Sequence, residues 1–197
     1  MEPPNWRVPP GGPTTPPPDD TGIGAWLEER LFGERIVLLQ GRVTTPVANK
    51  AAAALLTLDA LGTEPVKLHI SAAEGDLSAV FTLIDALDVM RAPVHATAVG
   101  EVGGAVIGVF VACRRRLAYP HARFRLAEPA VTGLAGTADE VAAAAGRYLQ
   151  VLDDLVVRVA EVTGQPRSRV EDDFAAARTL DAGEACDYGL VEEIVRR

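Results

Sequence analysis

After about its first twenty residues the chain alternates between apolar runs and amphipathic stretches. Ile23–Phe32 reads as a short amphipathic helix. Ile36–Gln40 is an apolar strand and Pro46–Leu61, with its alanine run, a helix of high propensity. Val66–Ser71 is a second strand. Leu77, Val80, Phe81, Ile84, Leu87 and Met90 recur at three- and four-residue spacing, which predicts a helix over Leu77–Met90. Val94–Val99 is a third strand. Ala105–Cys113 is apolar on every side and predicts a buried helix. A short strand follows at Arg123–Leu126, then a long helix over Glu140–Val162, ended by Gly164 and Pro166. Ser168 is placed to cap the next helix, and Asp181 with Glu184 forms a capping box for the last one. Strand and helix repeated in this way predict an α/β domain with parallel pairing.

Eight prolines precede Asp19 (Pro3, Pro4, Pro9, Pro10, Pro13, Pro16, Pro17 and Pro18), so residues 1–22 read as an extended or disordered tail. Trp6 and Val8 are its bulky apolar handles. Residues 23–197 read as one domain.

Composition narrows the function. The formal net charge is -8, with Lys+Arg 19 against Asp+Glu 27, which argues against a nucleic-acid binder. No stretch reaches the roughly 18–20 apolar residues of a membrane helix, and the N-terminus lacks the basic and apolar regions of a secretory signal. A cytoplasmic protein is expected. Cys113 and Cys186 have no metal-ligand spacing and read as two buried thiols, so neither metal nor cofactor is expected.

Parallel sheets bind ligands beyond the carboxyl ends of their strands. The candidate loops are therefore Ser71–Asp76 and Gly100–Gly104. Gly103-Gly104 lacks the Lys-Ser/Thr of a phosphate loop and the spacing of a dinucleotide fingerprint. Hydroxyls and imidazoles are scarce: Ser71, Ser78 and Ser168, and His69, His95 and His121. Lys67, His69 and Ser71 share one face of a strand, but side chains on one strand face run parallel and do not converge as a nucleophile and base must.

Several segments resemble, in order and with nearly constant spacing, the proteolytic subunit of the Clp protease, the ClpP family. Leu31–Leu39 resembles the family's opening "LLxERIIFL", Leu68–Gly75 resembles "LYINSPGG", and Val99–Ala105 resembles "VGMAASM". Leu117–Arg123 resembles "YALPNSR" and Arg125–Pro129 resembles "MIHQP". Thr163-Gly164-Gln165 matches "TGQ", and Ala182–Val191 resembles "SAxEAxEYGLVD". The resemblance implies a ClpP/crotonase-like spiral of ββα units with a long handle helix. It also implies seven-membered rings, formed by the chain itself or with active ClpP paralogues.

The same resemblance points away from catalysis. The family's Ser-His-Asp triad needs a hydroxyl, an imidazole and an orienting carboxylate. Their places fall on Gly104, Ala127 and Ala177. Asp172 and Asp173 lie a few residues from the last. The oxyanion loop is altered too, with Glu74 in the place of its first glycine, followed by Gly75. Lys67 and His69 replace tyrosines of the family's apolar ATPase-docking pocket, which makes docking of a Clp ATPase doubtful. The expectation is an inactive ClpP-like ring subunit. Its alternatives are an active Clp-type serine endopeptidase with a relocated nucleophile, or an enoyl-CoA hydratase-like protein that binds a CoA ester and uses Glu101 or Glu128.

Overall fold

In the computed structural model, residues 20–129 and 137–196 are described, so most of the expected tail lies outside them. The chain divides between Glu34 and Arg35 into two units, each described by itself. In the first, α1 spans Asp20–Gly33, and Glu34 N–H closes it by donating to the carbonyls of Arg30 and Leu31.

The second unit begins at Arg35, whose φ of 57° is left-handed. Its guanidinium donates to the carbonyls of Gly62 and Glu64, at 3.1 and 2.7 Å, just beyond a helix that ends at Leu61. The element order is β1 (Ile36–Gln40), α2 (Thr45–Leu61), β2 (Val66–Ala72), α3 (Leu77–Val89), β3 (Val94–Gly103), α4 (Val106–Ala112), β4 (Arg115–Ala118), β5 (Arg123–Leu126), α5 (Ala138–Thr163), α6 (Arg167–Ala175), β6 (Arg178–Asp181), α7 (Ala182–Tyr188) and β7 (Glu193–Ile194). The mixed α/β architecture is the one expected. Strands β1-β2-β3-β4-β7 pair in parallel, β5 pairs in parallel with β3, and β6 runs antiparallel to β5.

Three expectations change. The Gly100–Gly104 loop is mostly strand, because β3 runs on to Gly103. Residues His95–Ala98 pair with β4 and Glu101–Gly103 with β5, so the backbone groups past Gly100 find partners. Gly100, at φ +94°, makes the turn between the two halves. Ser168 does not cap α6: the helix starts at Arg167 with Pro166 at the cap, whose carbonyl accepts from Arg169 and Val170 N–H. Cys186 is half-buried, whereas Cys113 is buried as expected. The capping box of Asp181 and Glu184 forms as expected, and a second, of Thr137 and Glu140, opens α5.

The core lies between the sheet and helices α2 to α5. Phe110 of α4 and Phe124 of β5 are fully buried with ring centroids 5.2 Å apart. Gly108 lets α5 come close: a Cβ there would sit 2.6 Å from a Leu155 methyl. Removing the Phe110 ring deletes a large buried side chain that cannot be refilled. Phe110→Ala is therefore expected to lower stability by about 3–5 kcal/mol, read from the midpoint of urea unfolding.

Candidate functional site

The cleft is assembled from loops at the carboxyl ends of the parallel strands. Arg42 follows β1, Ala73–Gly75 follow β2, Gly104 follows β3, and Ala127–Pro129 follow β5, with Arg125 on β5 itself. Together they line a cavity of about 200 Å³. The loop after β2 is pinned to the loop after β1, since Val43 N–H donates to the Glu74 carbonyl at 2.9 Å and Asp76 N–H to the Val43 carbonyl at 2.8 Å. Gly103 must be glycine, because a Cβ there would lie 2.6 Å from the Ala73 carbonyl oxygen.

Two of the expected triad positions, Gly104 and Ala127, line this cleft, and Ala177 is not among its lining residues. Gly104 is left-handed at φ +55°, and its N–H donates to the Arg125 carbonyl at 3.0 Å. A Cβ on it would meet the Ala73 and Ala127 carbonyls at 3.7 and 3.8 Å, ordinary contact distances. Ala127 is buried. The β5–β6 ladder ends at Leu126 opposite Arg178, and one further step on each strand leads to Ala127 and Ala177. Ala177 is also left-handed, at φ 50°. Glycine and alanine place no hydroxyl, imidazole or carboxylate at these points.

The nearby aspartates are otherwise placed. Asp172 is exposed. Asp173 is buried, accepts from the Tyr188 hydroxyl at 2.9 Å and from Arg178 at 3.1 Å, and lies 3.9 Å from Arg169. Burial, reinforced by the Asp173 carboxylate, pushes the Tyr188 phenol well above its ordinary value. The side-chain hydrogen bond to Asp173 raises Arg178.

Charges line the mouth of the cleft. Arg42 pairs with Glu74 at 3.1 Å and Asp76 at 2.8 Å. Arg125 lies 3.5 Å from Glu101 and 3.9 Å from Glu74. Glu74 thus stands between two guanidiniums where the resemblance would put an oxyanion donor. These groups are solvent-exposed, so the pairs are screened and easily exchanged. Neither arginine was singled out from the sequence. Arg42 could have been, since it directly follows a parallel strand.

The relocated-nucleophile candidates do not assemble. Lys67, His69 and Ser71 share a face of β2 as expected, and no hydrogen bond joins Ser71 to either of the others among the described residues. Burial and then the Lys67 charge lower the pKa of His69. Ser78 is exposed at the start of α3. The Cys113 thiol donates to the Val109 carbonyl, and burial pushes its pKa up to about 12, which leaves it an inert thiol. Among the described residues no group of three or more His, Cys, Asp or Glu could hold a metal ion, and no helix is long and apolar enough to cross a membrane. A larger cavity, about 580 Å³, opens elsewhere beside Pro120, His121, Asp181 and Arg196. It contains none of the expected triad positions, whereas the smaller cleft is lined by Gly104 and Ala127.

Comparison with known proteins gives the family. The family described as Clp protease matches residues 24–197. The ATP-dependent Clp protease proteolytic subunit 1 of Mycobacterium tuberculosis (strain H37Rv) is 32% identical over 174 residues, covering 86% of each chain. The same-named subunit of Mycobacterium leprae is also 32% identical over 174 residues, with the same coverage. The ATP-dependent Clp protease proteolytic subunit 2 of Corynebacterium efficiens is 31% identical over 186 residues, covering 92% of each.

The Tyr188–Asp173 bond makes a measurable prediction. Removing the hydroxyl leaves a buried carboxylate short of a donor, so Tyr188→Phe is expected to cost about 1.5–3 kcal/mol. The folded phenol titrates above the unfolded one, so its contribution is complete below pH about 10 and is lost as the pH rises beyond it. Urea unfolding across that range should show a fall in stability in the wild type that is smaller in the variant.

Proposed function

The chain belongs to the Clp protease family, and from that premise we propose that it is a proteolytic-subunit-like member without peptidase activity, a structural or regulatory subunit of a ring. One observation carries this reading. Gly104 and Ala127 line one cleft, Ala177 stands one residue before Arg178 at the end of the β5–β6 ladder, and none of the three supplies a nucleophile, a base or an orienting carboxylate. Glu74 adds to it, because a carboxylate beside the cleft opposes a developing oxyanion. Such a cleft can hold a peptide without cutting it.

The partners proposed are further copies of this chain, active ClpP paralogues, or both, in seven-membered rings in the cytoplasm, with residues 1–22 as a tail outside the ring domain. Helix α5 is the contact offered to a facing ring. Its second half is buried through Leu155, Val156 and Val159, whereas Leu149 in its first half is 63% exposed. Docking of a Clp ATPase by this subunit is disfavoured by Lys67 and His69, since an apolar docking loop would have to desolvate a lysine. Glu101, an acid candidate of the hydratase-like alternative, lies beside Arg125.

Two measurements test the reading. A fluorophosphonate probe is expected to leave the purified protein unlabelled. Labelling that disappears in Ser71→Ala or Ser78→Ala would make it an active serine peptidase. Native mass spectrometry with an active ClpP paralogue should show mixed rings, and a strictly monomeric chain, alone and in the mixture, would remove the ring assignment.

A further inference from the structure

The cleft does not stop at the triad positions. Glu128, on its wall, also lines a second cavity of about 290 Å³ between α5 and α6. The floor of this second cavity is apolar, made by Leu152, Val156 and Phe174. Its rim carries the carboxylates of Glu128, Asp153 and Glu171.

Charge accounting separates these groups. In the outer cleft both guanidiniums have carboxylate neighbours, Arg42 with Glu74 and Asp76, Arg125 with Glu101 and Glu74. At the second cavity the carboxylates of Asp153 and Glu171 are both paired with Arg167, which does not itself line it. Glu128 makes no ion pair with any described residue. The uncommitted charge on the shared wall is therefore negative. A ligand that satisfies it and also covers the floor needs a methylene stem and a cationic end.

We propose that the cleft and its inner cavity form a binding site for an extended peptide segment, with a lysine or arginine side chain seated between α5 and α6. The stem packs on Leu152, Val156 and Phe174, and the cation stands at the Glu128 carboxylate. An acidic side chain is repelled there, and a neutral aliphatic one covers the floor but leaves Glu128 unpaired. This rests on the reading of the cleft as a peptide-holding Clp-type cleft. It adds the class of side chain that the cleft selects.

The experiment uses the full chain and three fluorescein-labelled, end-capped hexapeptides that differ only at the central residue: lysine, norleucine or glutamate. Fluorescence anisotropy should show the lysine peptide bound about fivefold more tightly than norleucine, the size of one partly screened ion pair. Glutamate should bind most weakly, and the lysine preference should shrink as salt rises. Glu128→Gln should bring the lysine and norleucine peptides to equal affinity. Asp153→Asn, on the same rim, should reduce the lysine preference. Equal binding of lysine and norleucine by the wild type, an undiminished preference in Glu128→Gln, or no peptide binding would each overturn the proposal. Loss of binding only when the chain is assembled into rings would overturn it as well, because the cavity would then be a subunit contact. Fluorophosphonate labelling of the same preparation reports separately on whether the chain is inactive, so the two readings fail by different signals.

Discussion

The cleft depends on one strand changing partners. β3 pairs with β4 through Ala98 and with β5 from Glu101 onward, and the turn between these ladders is made at Gly100. Without that switch β5, and β6 paired to it, would have no ladder to the rest of the sheet, and Ala127 would not be carried to Gly104. The switch also carries Gly103 close against the Ala73 carbonyl, which brings the loops after β2 and β3 to the same cleft. A backbone constraint, not a side-chain interaction, therefore decides where the site is.

Backbone and side-chain chemistry come apart at this site. Gly104 and Ala177 both hold left-handed conformations. For alanine that conformation is unfavourable and persists only because its surroundings impose it. At both points the side chain is no more than a hydrogen or a methyl group. The polar groups of the cleft are charges from separate elements, Arg42, Glu74 and Arg125, held together by proximity and open to solvent.

Much of this was legible in the sequence. The helices of strong period and the strands β1, β2 and β5 stand close to where the apolar pattern put them, and Gly104 and Ala127, which the order of short motifs singles out, both line the small cleft. What escaped was short or broken by glycine. β4 and β6 are four residues each and half or more polar, and β7 is two residues, so their strand state comes from pairing and not from propensity. Gly100 reads as a breaker in a linear sequence, yet in the sheet it is the point that lets the strand continue along a new neighbour. The proximity of Glu128 to α5 could not be read, because the two are distant in sequence and meet only through packing.

Helix α5 is fixed unevenly along its length. Its carboxyl half is clamped by Leu155, Val156 and Val159 and by the close approach allowed at Gly108, while Tyr148, nearer its free half, donates a hydrogen bond to the Pro129 carbonyl at the cleft wall. Mechanically this is a cantilever with a tie-rod to the cleft. Pro129 is thus the point at which the amino-terminal half of the helix and the wall of the cleft are physically joined.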